Sequence, residues 1–220
     1  MTHFETEIAE LKEEVKSMWL LVRSQLSKTL DALVNFDKDL AREVTVKEKR
    51  VNSYELKIDL DCENIFAIYQ PVAIDLRFLL AVLKINSNLE RIGDIAEGIA
   101  KYIIDTDKVF GDELIEASRV MEMFGEAINM FDDTLTSFEN EDTGLARTVF
   151  QKDEFLDNIN INANENLEAY IKNYPDDINQ ALYALSIIRK LERVGDQSKN
   201  IAEEIIFYLE AKVLKHRKKS

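Results

Sequence analysis

A segment of eighteen residues occurs twice in this chain. Residues 83–100 and 185–202 are identical at nine of eighteen aligned positions. The shared positions include the pattern Leu-Glu-Arg-hydrophobic-Gly-Asp, at residues 89–94 in the first copy and 191–196 in the second. A repeat of this length and spacing predicts two structural units of the same fold. Any binding site in one unit is therefore expected to have a counterpart in the other.

The composition and the apolar periodicity both predict helices. The 220 residues include only six Gly and two Pro, and 46% of them are hydrophobic. Apolar residues recur with a period near 3.6 in six segments, which is typical of amphipathic helices. Pro71 and Pro175 stand at matching places, just before the third and the sixth segment. The fourth segment carries an unbroken apolar heptad stripe from Leu114 to Phe138.

Six helices in two equivalent halves predict an all-α fold. The simplest arrangement is two tandem antiparallel three-helix bundles related by internal duplication, with residues 1–108 in the first and 112–214 in the second. Residues 215–220 form a short basic tail. We expect its charges to face the negative end of a helix dipole, with contact to anionic lipid or an acidic partner as the alternative.

Charge and residue usage exclude several classes of protein. A net charge of −14 makes nucleic acid a poor partner. The N-terminus lacks signal-peptide features and no apolar run reaches membrane-spanning length, so a cytoplasmic location is expected. The two histidines, His3 and His216, lie near the ends of the chain, which argues against histidine-based catalysis and an inward-facing di-iron site. A phosphate loop with its lysine is also missing, so we expect no enzyme activity.

Each repeat places a Glu and an Asp four residues apart on one helical face. Glu90 and Asp94 lie roughly 150° and 180° from the centre of the apolar stripe, so both are predicted to point outward. Glu192 and Asp196 repeat this arrangement. In a chain with 42 acidic residues, pairs with this spacing arise by chance, so the spacing alone does not identify a binding site. The retention of both pairs within the repeat is what makes them candidate ligands.

A glycine accompanies each acidic pair in the middle of its helix. Gly93 and Gly195 each cost about 1 kcal/mol of helix propensity relative to alanine. A glycine at this position leaves room for a close neighbour or a bound ion, or else it serves a tight helix crossing. These alternatives cannot be separated from the sequence.

The preceding helices supply further oxygen ligands, all predicted to lie on outward faces: Glu48, Asn52, Glu55 and Asp59 in the first half, and Asp153 and Asp157 in the second. If these helices lie beside the acidic pairs, each half concentrates about four negative charges. Such crowding is favourable only with a cation, and oxygen ligands suit Mg²⁺, Mn²⁺ or iron. Because Asn52 stands where the second half has Asp157, the second site is expected to bind metal more tightly.

A metal-free alternative remains open. The acidic face could dock directly onto basic partner surfaces, in which case binding would weaken with salt and ignore chelators.

The order of these features resembles the PhoU family, the accessory regulators of bacterial phosphate uptake and phosphate-responsive signalling. The resemblance rests on the two three-helix repeats, the segment QPVAIDLR at residues 70–77, and both Leu-Glu-Arg-hydrophobic-Gly-Asp motifs. It implies that the acidic pairs bind metal, as multinuclear iron or other transition-metal clusters; Zn, Mn or Mg are the alternatives. The implied ligands are Glu90, Asp94, Glu192 and Asp196, with Asp153, Asp157 and Glu48 as further candidates.

The same resemblance implies a regulatory function. Such a protein would be a cytoplasmic adaptor that restrains a phosphate ABC transporter, through its ATPase, and a phosphate-sensing histidine kinase when phosphate is plentiful. A homodimer is implied as well, with contact to the membrane only through partners.

Overall fold

The protein is almost entirely helical, which confirms the all-α prediction. The computed structural model describes residues 2–214, so the predicted basic tail at residues 215–220 lies outside the described residues. The elements are α1 (His3–Asn35), α2 (Lys38–Tyr69), α3 (Ala73–Asp105), α4 (Asp112–Ser118), α5 (Val120–Asn140), α6 (Thr143–Asn173), a short 3-10 helix (Pro175–Asp177) and α7 (Ile178–Glu210). Within the described residues there are no strands, and no helix is long and apolar enough to cross a membrane.

Polar side chains fix the helix starts. Thr2 and Glu5 form a reciprocal capping box at the beginning of α1. Asp37 and Asp142 accept hydrogen bonds from the first free backbone amides of α2 and α6. Five helices end on a left-handed residue that is not glycine, at Phe36, Gln70, Arg119, Glu141 and Ala211. At each of these ends the backbone N–H of the left-handed residue donates to a carbonyl of the last helical turn. The left-handed backbone crowds the side chain of that residue.

The helices form two bundles that share one core. Helices α1, α2 and α3 pack together, as do α5, α6 and α7, with the short α4 against α6 and α7. The bundles join where α3 packs along α7 and α1 meets α5. Trp19 of α1 is fully buried against Phe131 and Phe138 of α5, with ring centroids 5.9 and 5.4 Å apart. The predicted tandem three-helix repeats are therefore present, and they are fused through an apolar interface.

The third helices of the two bundles run antiparallel. Lys84 Nζ contacts Glu204 Oε2 at 3.0 Å, and farther along α3 Asn200 Nδ2 donates to Asn88 Oδ1 at 3.5 Å. As residue numbers rise along α3, the numbers of the residues they contact on α7 fall, so the two helices are antiparallel. This pairing places the acidic motif of each repeat near the middle of the molecule.

The predicted fourth helix is divided into two. Arg119 adopts a left-handed backbone with φ of 55°, which ends α4 at Ser118 and starts α5 at Val120. The Ser118 hydroxyl accepts a hydrogen bond from the Val120 amide at 3.4 Å, and the Arg119 guanidinium pairs with Glu122. In the sequence the apolar stripe runs across this break through Ala117 and Met121, both of which are half-buried. Periodicity alone therefore predicted one helix.

Candidate metal centre

Helices α2 and α3 bring four carboxylates together in the first repeat. We call Glu48 and Glu55 of α2, with Glu90 and Asp94 of α3, the first acidic cluster. Burial raises the pKa of Glu90, and the negative charges of Asp94 and Glu55 raise it further. Burial also raises the pKa of Glu55, helped by the charges of Asp59 and Asp94. The carboxylates are thus close enough to resist each other's ionisation.

Glu48 is buried, contrary to the prediction that it faces outward. Its exposed fraction is 5%, and Gln25 of α1 donates from Nε2 to Glu48 Oε2 at 2.9 Å. The other oxygen, Oε1, has no hydrogen-bond partner. Burial raises the pKa of Glu48 to about 7, although the hydrogen bond from Gln25 opposes this and the charges of Asp94, Glu97 and Glu90 add to it. The prediction was wrong because α2 packs against both α1 and α3, which together close off this position.

Gly93 makes the approach of Glu48 possible. A Cβ atom at this glycine would lie 3.1 Å from Glu48 Oε2 and 3.3 Å from Gln25 Oε1. The sequence left open whether this glycine makes room for a close neighbour, a bound ion or a helix crossing. Here it makes room for a close neighbour, since a buried carboxylate occupies the space next to it.

The second repeat builds the same arrangement from α6 and α7. We call Asp153 and Asp157 of α6, with Glu192 and Asp196 of α7, the second acidic cluster. Burial raises the pKa of Glu192, followed by the charges of Asp196, Asp157 and Asp153. All four predicted ligands of this repeat therefore share one local environment.

Asp153 corresponds to Glu48, and the outward prediction was wrong for the same reason. It is 6% exposed beneath α7, and its Oδ1 has no hydrogen-bond partner. A Cβ atom at Gly195 would lie 3.4 Å from that oxygen and 2.6 Å from Leu156 Cδ1. Each repeat thus holds one deeply buried carboxylate, with an unsatisfied oxygen, beside a mid-helix glycine.

The second cluster contains a cation that sequence reasoning missed. Lys199 Nζ lies 2.5 Å from Asp153 Oδ2 and 2.9 Å from Asp196 Oδ1. Burial alone would lower the pKa of Lys199, but hydrogen bonds to both carboxylates outweigh it and the pKa is raised. The signal was available from the repeat, because the position equivalent to Lys199 in the first copy is Glu97.

The remaining predicted positions lie at the rim of the clusters. Asp94 is exposed as predicted, whereas Glu90, Glu192, Asp196 and Asp157 are half-buried. Asn52 is exposed. Asn86 Nδ2 donates a hydrogen bond to Asp59 Oδ1 at 2.9 Å. Within residues 2–214 no three His, Cys, Asp or Glu side chains are already arranged to hold a metal ion. Side chains would have to rotate inward around the ion.

The donors nevertheless fit a metal ion chemically. Every ligand in both clusters is a carboxylate oxygen, which hard cations and the lighter transition metals accept. The unsatisfied oxygens of Glu48 and Asp153 provide a buried anchor in each repeat. The carboxylates of α3 and α7 can complete the shell from the solvent side.

Comparison with known proteins identifies the family. The model of the PhoU domain matches residues 15–103 and 120–205, one match in each repeat. The chain is 33% identical over 214 residues to the phosphate-specific transport system accessory protein PhoU of Edwardsiella tarda, covering 97% of this chain and 87% of that protein. It superimposes on the crystal structure of PhoU from Pseudomonas aeruginosa with a TM-score of 0.86 and 30% identity, covering 96% of this chain and 100% of the other. For the phosphate transport system regulatory protein PhoU from Streptococcus pneumoniae, the TM-score is 0.82 at 28% identity, with 96% and 99% covered. The duplicated fold, the repeated motif and these similarities lead to one conclusion: the chain belongs to the PhoU family.

Proposed function

We propose that this protein regulates phosphate uptake and phosphate-responsive signalling as a cytoplasmic, metal-binding adaptor. It restrains a phosphate ABC transporter, through the ATPase component, and a phosphate-sensing histidine kinase when phosphate is plentiful. Family membership supports the regulatory role, since the relatives are named accessory and regulatory proteins of phosphate transport. The protein acts by binding, as a homodimer, and carries out no chemical turnover.

The metal-binding part of the proposal depends mainly on the buried carboxylates. Glu48 and Asp153 hold equivalent places in the two repeats, and each has an oxygen without a hydrogen-bond partner. Leaving a buried acceptor unsatisfied costs about 1–3 kcal/mol. A cation bound between this oxygen and the rim carboxylates would remove that cost and the mutual repulsion of the acids.

Each cluster supplies a set of ligands on this proposal: Glu48, Glu90 and Asp94 in the first, and Asp153, Asp157, Glu192 and Asp196 in the second. The oxygen-only donors favour iron or manganese, with zinc and magnesium as alternatives. The bound ion would tie α2 to α3 and α6 to α7, which stiffens the surface presented to partners.

The second candidate is a metal-free module that docks through its acidic face. Two observations favour it: within residues 2–214 there is no preassembled ligand group, and Lys199 offsets one of the two negative charges of Asp153 and Asp196 without a metal ion. Such docking would rest on long-range charge attraction and would be screened by salt.

Elemental analysis and affinity capture separate the two candidates. Untagged protein purified without chelator should retain metal, and the double variant Glu90→Gln, Asp94→Asn should lose most of the metal held in the first repeat. Capture of a phosphate-transporter ATPase should then be stronger in high phosphate and should fall when chelator is added. Glu168→Gln, at an exposed acid paired with Lys172, is the matched control and should change neither result. Metal-free protein whose capture depends on salt but not on chelator would instead establish the docking module.

A further inference from the structure

We propose that the two clusters are not equivalent, because Lys199 fills the cation position of the second cluster and directs metal binding to the first. Metal enters the second cluster only by displacing the Lys199 ammonium. This inference rests on the proposed metal-binding function and assigns a regulatory role to a side chain outside the ligand set.

Lys199 bridges the same two helices that a metal ion would bridge. Its ammonium contacts Asp153 on α6 and Asp196 on α7, at 2.5 and 2.9 Å. The lysine side chain is only 26% exposed, and that of Asp153 is 9% exposed. The contact with Asp153 is therefore shielded from water and is stronger than an ordinary surface ion pair, whereas the Asp196 side chain is 45% exposed.

The first cluster has no such cation. The residue equivalent to Lys199 is Glu97, whose carboxylate instead pairs with Lys101 on its own helix at 2.6 Å. Within residues 2–214 the four carboxylates of the first acidic cluster form no ion pair with a Lys or Arg side chain, although the charge of Arg91 opposes the rise in the pKa of Glu90 and Glu55. No ammonium therefore occupies the first cluster, and its buried carboxylate is bonded only by the neutral amide of Gln25.

This difference reverses the expectation drawn from the sequence, in which Asp157 against Asn52 made the second site the tighter one. A metal ion in the second cluster must break two ion pairs and sit near a displaced ammonium. One additional positive charge at this range, in a partly screened setting, corresponds to an affinity loss of about ten- to a hundredfold. The additional rim carboxylate Asp157 is matched in the first cluster by Glu55, whose charge acts on Glu90, so the ammonium is the remaining difference between the clusters.

Paramagnetic broadening can assign Mn²⁺ to each cluster separately. In the full-length protein, backbone amide signals of α2 near Glu48 report on the first cluster and those of α6 near Asp153 on the second, because α2 and α6 do not contact each other. During a titration with Mn²⁺ we expect the α2 signals to broaden first in the wild type. Lys199→Gln should tighten binding at the second cluster by about tenfold or more and leave the Mn²⁺ dependence of the α2 signals unchanged.

Lys16→Gln provides the matched control. Lys16 on α1 pairs at 2.5 Å with Glu139 on α5, so it also bridges two helices, and neither residue adjoins a cluster residue in the chain; its loss should not change Mn²⁺ binding. The reciprocal variant Glu97→Lys places an ammonium at the equivalent position of the first repeat and should weaken binding at the first cluster. It also tests the inference if Lys199→Gln does not fold, as checked by circular dichroism.

The possible outcomes keep this inference distinct from the proposed function. Equal broadening at both clusters in the wild type, or no gain at the second cluster in folded Lys199→Gln, would overturn the role of Lys199 and leave metal binding in place. Failure of Mn²⁺ and iron to bind at either cluster, in all variants, would overturn metal binding and this inference together.

Discussion

The buried carboxylate of Glu48 makes a strong prediction about stability. Replacing it by the isosteric Gln keeps an acceptor for Gln25 and removes the charge. The pKa of Glu48 is about 7 in the folded protein, against an ordinary value of 4.5. At about 1.4 kcal/mol for each tenfold change in proton affinity, ionisation of Glu48 costs the folded state about 3 kcal/mol. Without metal, Glu48→Gln should therefore be more stable than the wild type at pH 8.

The sign follows from the direction of the pKa change. Because the pKa is higher in the folded state, the wild type loses stability as the pH rises from about 4.5 to about 7, and the loss is complete above that range. We would measure the free energy of unfolding in urea, with chelator present, from pH 4.5 to pH 8. The difference between Glu48→Gln and the wild type should be smallest at pH 4.5 and approach about 3 kcal/mol at pH 8.

Glu43→Gln on the same helix is the control of opposite sign. Hydrogen bonds from Lys28 and Lys47 lower the pKa of Glu43 to about 2, so its contribution is present above the ordinary value and is lost as the pH falls toward 2. This variant should be no more stable than the wild type at pH 8. A difference for Glu48→Gln that does not vary with pH, or a variant weaker than the wild type at pH 8, would refute the argument from burial.

Three further predictions concern packing and backbone. Gly195→Ala should lower the free energy of unfolding by about 1–3 kcal/mol, despite its better helix propensity, because the new Cβ would lie 2.6 Å from Leu156 Cδ1; a urea midpoint at or above wild type would contradict this. Gln70→Gly should raise the melting temperature, with a gain of up to about 1 kcal/mol, by relieving a left-handed residue with φ of 47°, and an unchanged melt would count against strain there. The Cys62 thiol, whose pKa burial raises to about 12, should react with a disulfide reagent at pH 8 only after unfolding, so rapid labelling of the folded protein would show that the site opens.

The fold was largely predictable from sequence because apolar periodicity and the repeat point to the same architecture. The break at Arg119 was not, because the apolar stripe passes through it while one residue turns left-handed. A single left-handed residue leaves no trace in a hydrophobic pattern when apolar residues continue at helical spacing on both sides of it. The packing of the two bundles through α3 and α7 was also not predictable, because an apolar stripe does not show how many neighbouring helices cover it.

The sequence predicted which carboxylates lie near one another better than how deeply each is buried. The proximity of Glu90 and Asp94 to α2, and of Glu192 and Asp196 to α6, follows once neighbouring helices of each bundle pack side by side, as they do. The burial of Glu48 and Asp153 does not, because an angle measured from one helix's own apolar face ignores the third helix of the bundle. The position of Lys199 was not predicted, because the spacing of acidic residues does not show which basic side chain pairs with them.

The antiparallel contact between α3 and α7 bears on how the duplication arose. Phe78 meets Tyr208, and Tyr102 meets Tyr183, with ring centroids 5.5 Å apart in both pairs. A chain with a single repeat would leave such aromatic rings facing water unless another subunit covered them. Equivalent helices that pack antiparallel to each other have the geometry of an isologous subunit contact. Gene fusion would then have turned an association that depends on concentration into a permanent one, and freed each copy of the motif to diverge, as Glu97 and Lys199 have done.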